Sequence, residues 1–411
     1  MKFFSELQEG LHISWSALRA NLMRSVLTTI GIVIGIVTVT LMATALETLD
    51  VVFHEQISFM GTDVLYVDRQ EWFAESNIRW QDIMKREKIT LPQVRRLERD
   101  LSMVRGVAPT VMYMIDSVTH GNRSSGMVML VGTNEQFLIT SGIELASGRF
   151  LTRAEAYANR DLCVLGSEVA DKLFRNESPL GQKIRVGDQP FEVVGTLVKR
   201  GTVFGRMSLD NQIIIPIQRM IRGYRWNPSC TIQVKAGDPS RLEVTREELR
   251  GVMRKIRRVP PGKDDDFSIN QQEALVSQFR KVSAVIAIAG FFITGLSLFV
   301  GGIGIMNIMF VSVTERTQEI GIRKALGARR RTILLQFLIE AASICLLGGI
   351  IALGIAWMAV ALVHQYIPQA SLSVSVVVLA LSVAVTTGLI SGLLPAWRAA
   401  GMKPVDALRK E

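Results

Sequence analysis

The chain alternates long apolar stretches with mixed, charged ones. Val26 to Leu46 carries no charge, nor does Val282 to Val313 or Leu372 to Leu394, and Ile333 to Val363 is interrupted only by Glu340. Crossing a bilayer takes about 20 apolar residues, and backbone groups in lipid must bond within their own segment, so each stretch predicts a transmembrane helix. Ala43-x-Ala45 resembles a signal-peptidase site. The apolar run before it is too long for a signal sequence, and 25 residues with both charge signs precede that run. In those first residues Phe4, Leu7, Leu11, Trp15, Leu18 and Leu22 recur at helical spacing. They predict an amphipathic helix lying on the membrane surface over residues 1–25.

Basic residues give the orientation. Residues 1–25 hold three, the segment Thr314 to Thr332 six and the tail from Pro395 four, whereas the link from Leu362 to Ser373 holds none. By the positive-inside rule both termini and the 314–332 loop face the cytoplasm. The expected order is a cytoplasmic N-terminal helix (1–25), helix one (26–46), an external domain (47–281) and helix two (282–313). A cytoplasmic loop (314–332), helix three (333–363), a short external link (364–371), helix four (372–394) and a cytoplasmic tail (395–411) complete it. The net charge of +10 is thus a topology signal, and no basic patch interleaved with aromatics points to nucleic acid.

Residues 47–281 read as mixed α and β. Asp63 to Asp68 alternates like a strand, and Thr90-Leu-Pro-Gln93 is a capping box ahead of Leu91, Val94, Leu97, Leu101 and Val104 at helical spacing. Gln182 to Val186 and Pro190 to Val198 flank Gly187-Asp188 as a hairpin. Ile213 to Pro216 and Cys230 to Val234 predict further strands, and Asp238 to Arg258 an amphipathic helix. The order suggests two small α/β units, one inserted in the other. Chemistry is scarce. His54 and His120 have no metal-ligand spacing, and Asp264 to Asp266 reads as a solvated turn without the rest of a calcium loop. Gly121 to Gly126 matches the first six positions of a P-loop, but Met127 and Val128 stand where Lys and Ser/Thr would hold phosphate and magnesium. A flexible glycine loop is expected there. Cys163 and Cys230 read as two separate buried thiols, with pairing left open should the fold bring them together.

The most organised polar segment is Thr314 to Arg331. Glu315 with Glu319, and Gln318 with Ile322, are spaced as neighbours on one helix, and Gly321 and Gly327 permit turns or close approach. A short, charged, sharply bounded cytoplasmic helix is suited to dock in a partner's groove. In the membrane, Gly31-x-x-x-Gly35 and Gly388-x-x-x-Gly392 permit close helix packing. Glu340 is expected to pair with a loop arginine or to reach the cytoplasmic side.

Glu315-Arg-Thr-Gln-Glu-Ile-Gly-Ile-Arg-Lys-Ala-Leu-Gly-Ala328 resembles the signature of the FtsX/MacB family of ABC-transporter permeases, also called type VII. Three further segments resemble it: Ala17 to Gly35, Val164 to Gly195 in parts, and Pro395 to Arg409. The resemblance implies an α-helical membrane protein of the bacterial inner membrane, with four transmembrane helices and a large mixed α/β extracytoplasmic domain between helices one and two. That domain would be a porter-like unit with a smaller α/β insert at about 132–216. The resemblance further implies that the loop after helix two is a coupling helix docking on an ATPase, a role that would fall on Glu315, Arg316, Glu319, Gly321, Arg323, Lys324 and Gly327.

By the same resemblance the chain is a non-catalytic permease with no cofactor of its own. ATP and magnesium would belong to a separate ATPase subunit, with a second copy of the permease as homodimer partner. A periplasmic adaptor and an outer-membrane channel are further partners it implies. The mechanism would be mechanotransmission, in which ATP-driven closure of the ATPases moves the external domains to expel a substrate. Regulation of a cell-wall hydrolase and extraction of lipoproteins are alternatives within the family.

Overall fold

The computed structural model describes residues 22–57, 61–73, 85–175, 177–203, 207–224 and 228–408. The amphipathic segment expected over residues 1–25 lies outside them up to residue 21. In chain order the structure begins with α1 (Leu22–Ile57), β1 (Val64–Asp68), α2 (Leu91–Asp100), β2 (Val104–Ile115), β3 (Val118–His120), β4 (Arg123–Ser125) and β5 (Val128–Thr133). Next come α3 (Phe137–Ser141), β6 (Leu145–Gly148), α4 (Arg153–Tyr157), β7 (Leu162–Leu165), α5 (Ser167–Phe174), β8 (Lys183–Val186) and β9 (Gln189–Leu197). Then follow β10 (Thr202–Val203), β11 (Met207–Ser208), β12 (Gln212–Pro216), α6 (Ile217–Gly223), β13 (Thr231–Ala236), α7 (Leu242–Arg257) and β14 (Ser268–Gln271). The chain ends with α8 (Gln272–Glu315), α9 (Thr317–Ala325), α10 (Arg330–His364), α11 (Val374–Gly401) and α12 (Pro404–Leu408). Two compact units result, one spanning Phe53–Arg280, the other joining the chain up to Val52 with Lys281–Glu411.

The unit Phe53–Arg280 is built on one sheet of order β14-β1-β13-β2-β5-β12-β7-β9-β8-β3-β4, with β6 on β9. Its central strands are buried on both faces, which explains their unbroken apolar runs. In β12, Ile213 and Ile215 join one core with Leu130, Leu165 and Leu249, while Ile214 turns to a second with Val131, Phe137 and Phe150. β5 and β12 run parallel with Thr133 opposite Pro216, so the two ends of the segment read as an insert lie side by side. β3 and β4, which precede that segment, join its strands through β8.

Local signals explain the elements. Gln93 Oε1 accepts from the Thr90 amide at 3.0 Å, starting α2, whose Leu91, Val94 and Leu97 are buried. β8 and β9 form the expected hairpin at Gly187, where φ is +59° and only glycine is unstrained. Two readings change. Gly121 to Gly126 is no flexible loop: His120 pairs with Arg123 around a Gly121-Asn122 turn, because buried Val118 and Ser125 anchor both strands. Asp264 is exposed, as expected of a solvated turn, but Asp265 and Asp266 are partly buried. Arg250 and Arg254 of α7 bind Asp265, and Arg257 Nη2 reaches Asp266 at 2.7 Å. The basic face of α7 satisfies these two carboxylates. Cys163 and Cys230 are free and buried, and burial pushes both thiols up, Cys230 to about 12.

In the other unit four helices, Ile30–Glu55 within α1 together with α8, α10 and α11, are long and apolar enough to cross a membrane. Close approach is set by glycine. A Cβ on Gly31 would stand 3.2 Å from the Gly301 Cα, and one on Gly35 would stand 2.8 Å from Leu298 Cδ2. On α11 a Cβ at Gly388 would meet the Ala342 Cα at 2.8 Å, and one at Gly392 the Ala341 Cβ at 2.5 Å. Thus α1 is fitted to α8, and α11 to α10. α11 runs on through Pro395, which has no amide to give the Ser391 carbonyl, and ends at Gly401 rather than at the expected 394.

Candidate functional site

The segment between α8 and α10 is the most structured polar part of the membrane unit. α8 ends at Glu315, and Arg316 breaks it with φ −101° and ψ 19°. Thr317 Oγ1 returns a hydrogen bond to the Thr314 carbonyl at 2.8 Å, closing the old helix as the new one starts. Glu315 and Glu319 therefore sit on two helices rather than on one face. α9 buries Ile320 and Gly321. Glu319 lies in its first turn and Arg323 and Lys324 in its last, each sign matched to the helix dipole. The helix stops at Gly327, whose φ of +98° favours glycine, and the amides of Leu326 and Ala328 cap the carbonyls of Ile322 and Arg323.

The charged side chains divide by direction. Arg316 Nη1 lies 3.5 Å from Glu340 Oε1, and Glu340 is only 4% exposed. Arg323 Nη1 donates to Gln336 Oε1 at 2.8 Å, and its Nη2 meets Glu319 Oε1 at 2.6 Å. Lys324 Nζ donates to the carbonyls of Ala400 and Met402, both at 2.6 Å, closing the C-terminal end of α11. Burial, then neighbouring Arg330, lowers the Lys324 pKa. Glu315, Gln318 and Glu319 remain exposed, with Ile322 at 47% and Leu326 at 84%. α12 packs against α9 with Ala407 buried and Val405 72% exposed. The sequence reading missed the apolar members of this face and the lysine clasp. The i,i+4 spacing of Ile322 and Leu326 was a visible signal for the first, and nothing local encodes the second.

One face is solvated and amphipathic, and the other is tied to α10 and α11. Among the described residues no group of three His, Cys, Asp or Glu is placed to hold a metal.

The model of the MacB-like periplasmic core domain matches residues 25–252, and that of the FtsX-like permease C-terminal region matches residues 291–404. The macrolide export ATP-binding/permease protein MacB of Azoarcus sp. (strain BH72) is 33% identical over 411 residues, covering 99% of this chain and 60% of that protein. The chain thus spans about three-fifths of the MacB proteins it matches. The uncharacterized ABC transporter permease YknZ of Bacillus subtilis (strain 168) is 30% identical over 409 residues, covering 98% of this chain and 100% of that one. Among solved structures, the periplasmic region of MacB from Actinobacillus actinomycetemcomitans superposes with a TM-score of 0.44 at 20% identity, over 55% of this chain and 95% of that one. Four apolar helices, an α/β domain between the first two, the two family models and the full-length relative place the chain in the FtsX/MacB-like family of ABC-transporter permeases, as a multi-pass membrane protein.

Proposed function

We propose that this chain is the membrane subunit through which ATP hydrolysis on a separate ABC ATPase drives a conformational change outside the cytoplasm, exporting a substrate from the periplasmic side by mechanotransmission. The observation that carries the reading is the two-faced α9 segment. Its outer face presents Glu315, Glu319, Ile322 and Leu326. Its inner face is fastened to α10 and α11 through Arg316, Arg323 and Lys324. A push on the outer face is therefore delivered to two membrane helices. In this reading both termini and α9 face the cytoplasm, two copies form the permease, and an adaptor and an outer-membrane channel complete the route. The relatives named for macrolide export support an efflux role.

Reversing Glu315 and Glu319 to Lys tests the docking. Charged groups truncated at a docked interface cost about 2–5 kcal/mol when buried and far less at the rim. The double variant, normally inserted, is expected to lose co-purification of the ATPase or to hydrolyse ATP without transport. Unchanged association and transport would overturn the role of this segment.

A further inference from the structure

Arg316 and Arg323 flank α9, one just before it and one in its last turn, and both reach the same helix. Their partners, Glu340 and Gln336, are four residues apart and so occupy one face of α10 on successive turns. α9 is thus held to α10 at both ends. The two ties differ in depth. Gln336 is a neutral partner for Arg323, which Glu319 also holds. Glu340 is a carboxylate inside an otherwise uncharged apolar span, 4% exposed, and Arg316 is the cation beside it. Replacing a buried ion pair by apolar side chains of similar volume is often neutral or stabilising, so packing alone does not call for this pair. Its position does: Arg316 is the residue at which the chain breaks from α8 into α9.

Resting on the coupling role proposed above, we infer that the Arg316–Glu340 pair is the deep anchor that gears α9 to the third membrane helix. Glu340 is a positioning residue whose loss lets α9 move without moving α10. The pair adds nothing to docking. It converts tilt of α9 into displacement of α10, while Gln336 and Arg323 fix the angle of the short helix at its other end.

The test uses the full chain in lipid nanodiscs, alone and with its ATPase. The variants are Glu340→Gln, an apolar pair (Arg316→Met with Glu340→Leu) and a charge exchange (Arg316→Glu with Glu340→Arg). One readout is the mobility of a spin label at exposed Gln318 in the chain alone. Another is the ATP-driven change in labelling rate of a cysteine placed at exposed Asn122, per ATP hydrolysed.

Glu340→Gln and the apolar pair are expected to free the Gln318 label and to reduce the Asn122 response per ATP about tenfold, with ATPase association retained. The apolar pair keeps its thermal stability, which separates gearing from folding, and the exchanged pair recovers part of the response. An unchanged label and an unchanged response in the stably inserted apolar pair would overturn the inference. Should the ATPase fail to bind even the unaltered chain, the coupling role falls, and the Gln318 label still decides whether the pair anchors α9.

Discussion

Thr152, Glu155 and Arg149 form a small ionic cap on α4. Glu155 Oε2 accepts from the Thr152 amide at 2.9 Å, and both Glu155 oxygens meet Arg149, at 2.7 and 2.8 Å. The Arg149 hydrogen bonds, then the Thr152 amide and hydroxyl, hold the Glu155 carboxyl at about 2 against its ordinary 4.5. A depressed carboxylate contributes stability that is fully present above 4.5 and is lost as pH falls from there through about 2. Arg149 is half exposed, so the contribution is screened, and Glu155→Gln is expected to cost about 1 kcal/mol or less at neutral pH. Hydrogen exchange at the Ala156 and Ala158 amides of the full chain reads this directly. The variant should exchange faster at pH 7 and lose the acid sensitivity of the parent; identical profiles would remove the cap from the account.

Among the elements, the helix contacts made at glycine are the most sensitive to volume. Besides the Cys345 Sγ, the atoms facing Gly388 are the Ala342 Cα and the Ala341 carbonyl, backbone that no rotamer change can move. Gly388→Val is expected to lower stability by about 1–3 kcal/mol through overpacking between α11 and α10. Gly354→Ala makes the control, because a Cβ there meets nothing within 4 Å and alanine favours helix. Thermal unfolding in detergent should separate the two, and equal midpoints would mean the helices part without cost. The Gly-x-x-x-Gly spacings were legible as sequence, since small residues four apart make a groove on any helix. The partners Gly301 and Ala342 were not, because they depend on which helices become neighbours. The end of the second span was legible to within a few residues, expected at 313 and found at Arg316. Local spacing also allows one helix from Glu315 through Glu319, whereas Arg316 ends α8 and lies 3.5 Å from the buried Glu340.

Over the whole molecule, topology is the first thing to check. The basic loop at 314–332 and the uncharged link at 362–373 predict opposite sides of the membrane. With the native cysteines removed, cysteines near Asn122 and Gln369 should react with an impermeant reagent in intact cells, and one at Thr317 should not. Reaction at Thr317 from outside would invert the arrangement. The four spans and the α/β character of the middle were readable because each periodicity reports its own burial. The joining of the middle into one twelve-stranded sheet was not, since strand neighbours such as β2 and β13 are far apart in sequence. The segment Thr314 to Arg331 was legible as a motif, but its two faces emerged only once α10 and α11 supplied partners for its cations.

One strand sets a timetable for biogenesis. β1 follows directly on the first apolar helix, yet both its neighbours, β13 and β14, come from the far end of the domain, with Val64 opposite Lys235 and Leu65 opposite Gln271. Synthesis runs at about 5–20 residues per second, so some 170 further residues keep β1 without either neighbour for roughly ten to thirty seconds. Through that interval Val64, Leu65, Tyr66 and Val67, all buried in the finished sheet, form a bare aggregation-prone segment. A ribosomal stall before residue 231 would prolong that interval and leave β1 without the partners that bury it.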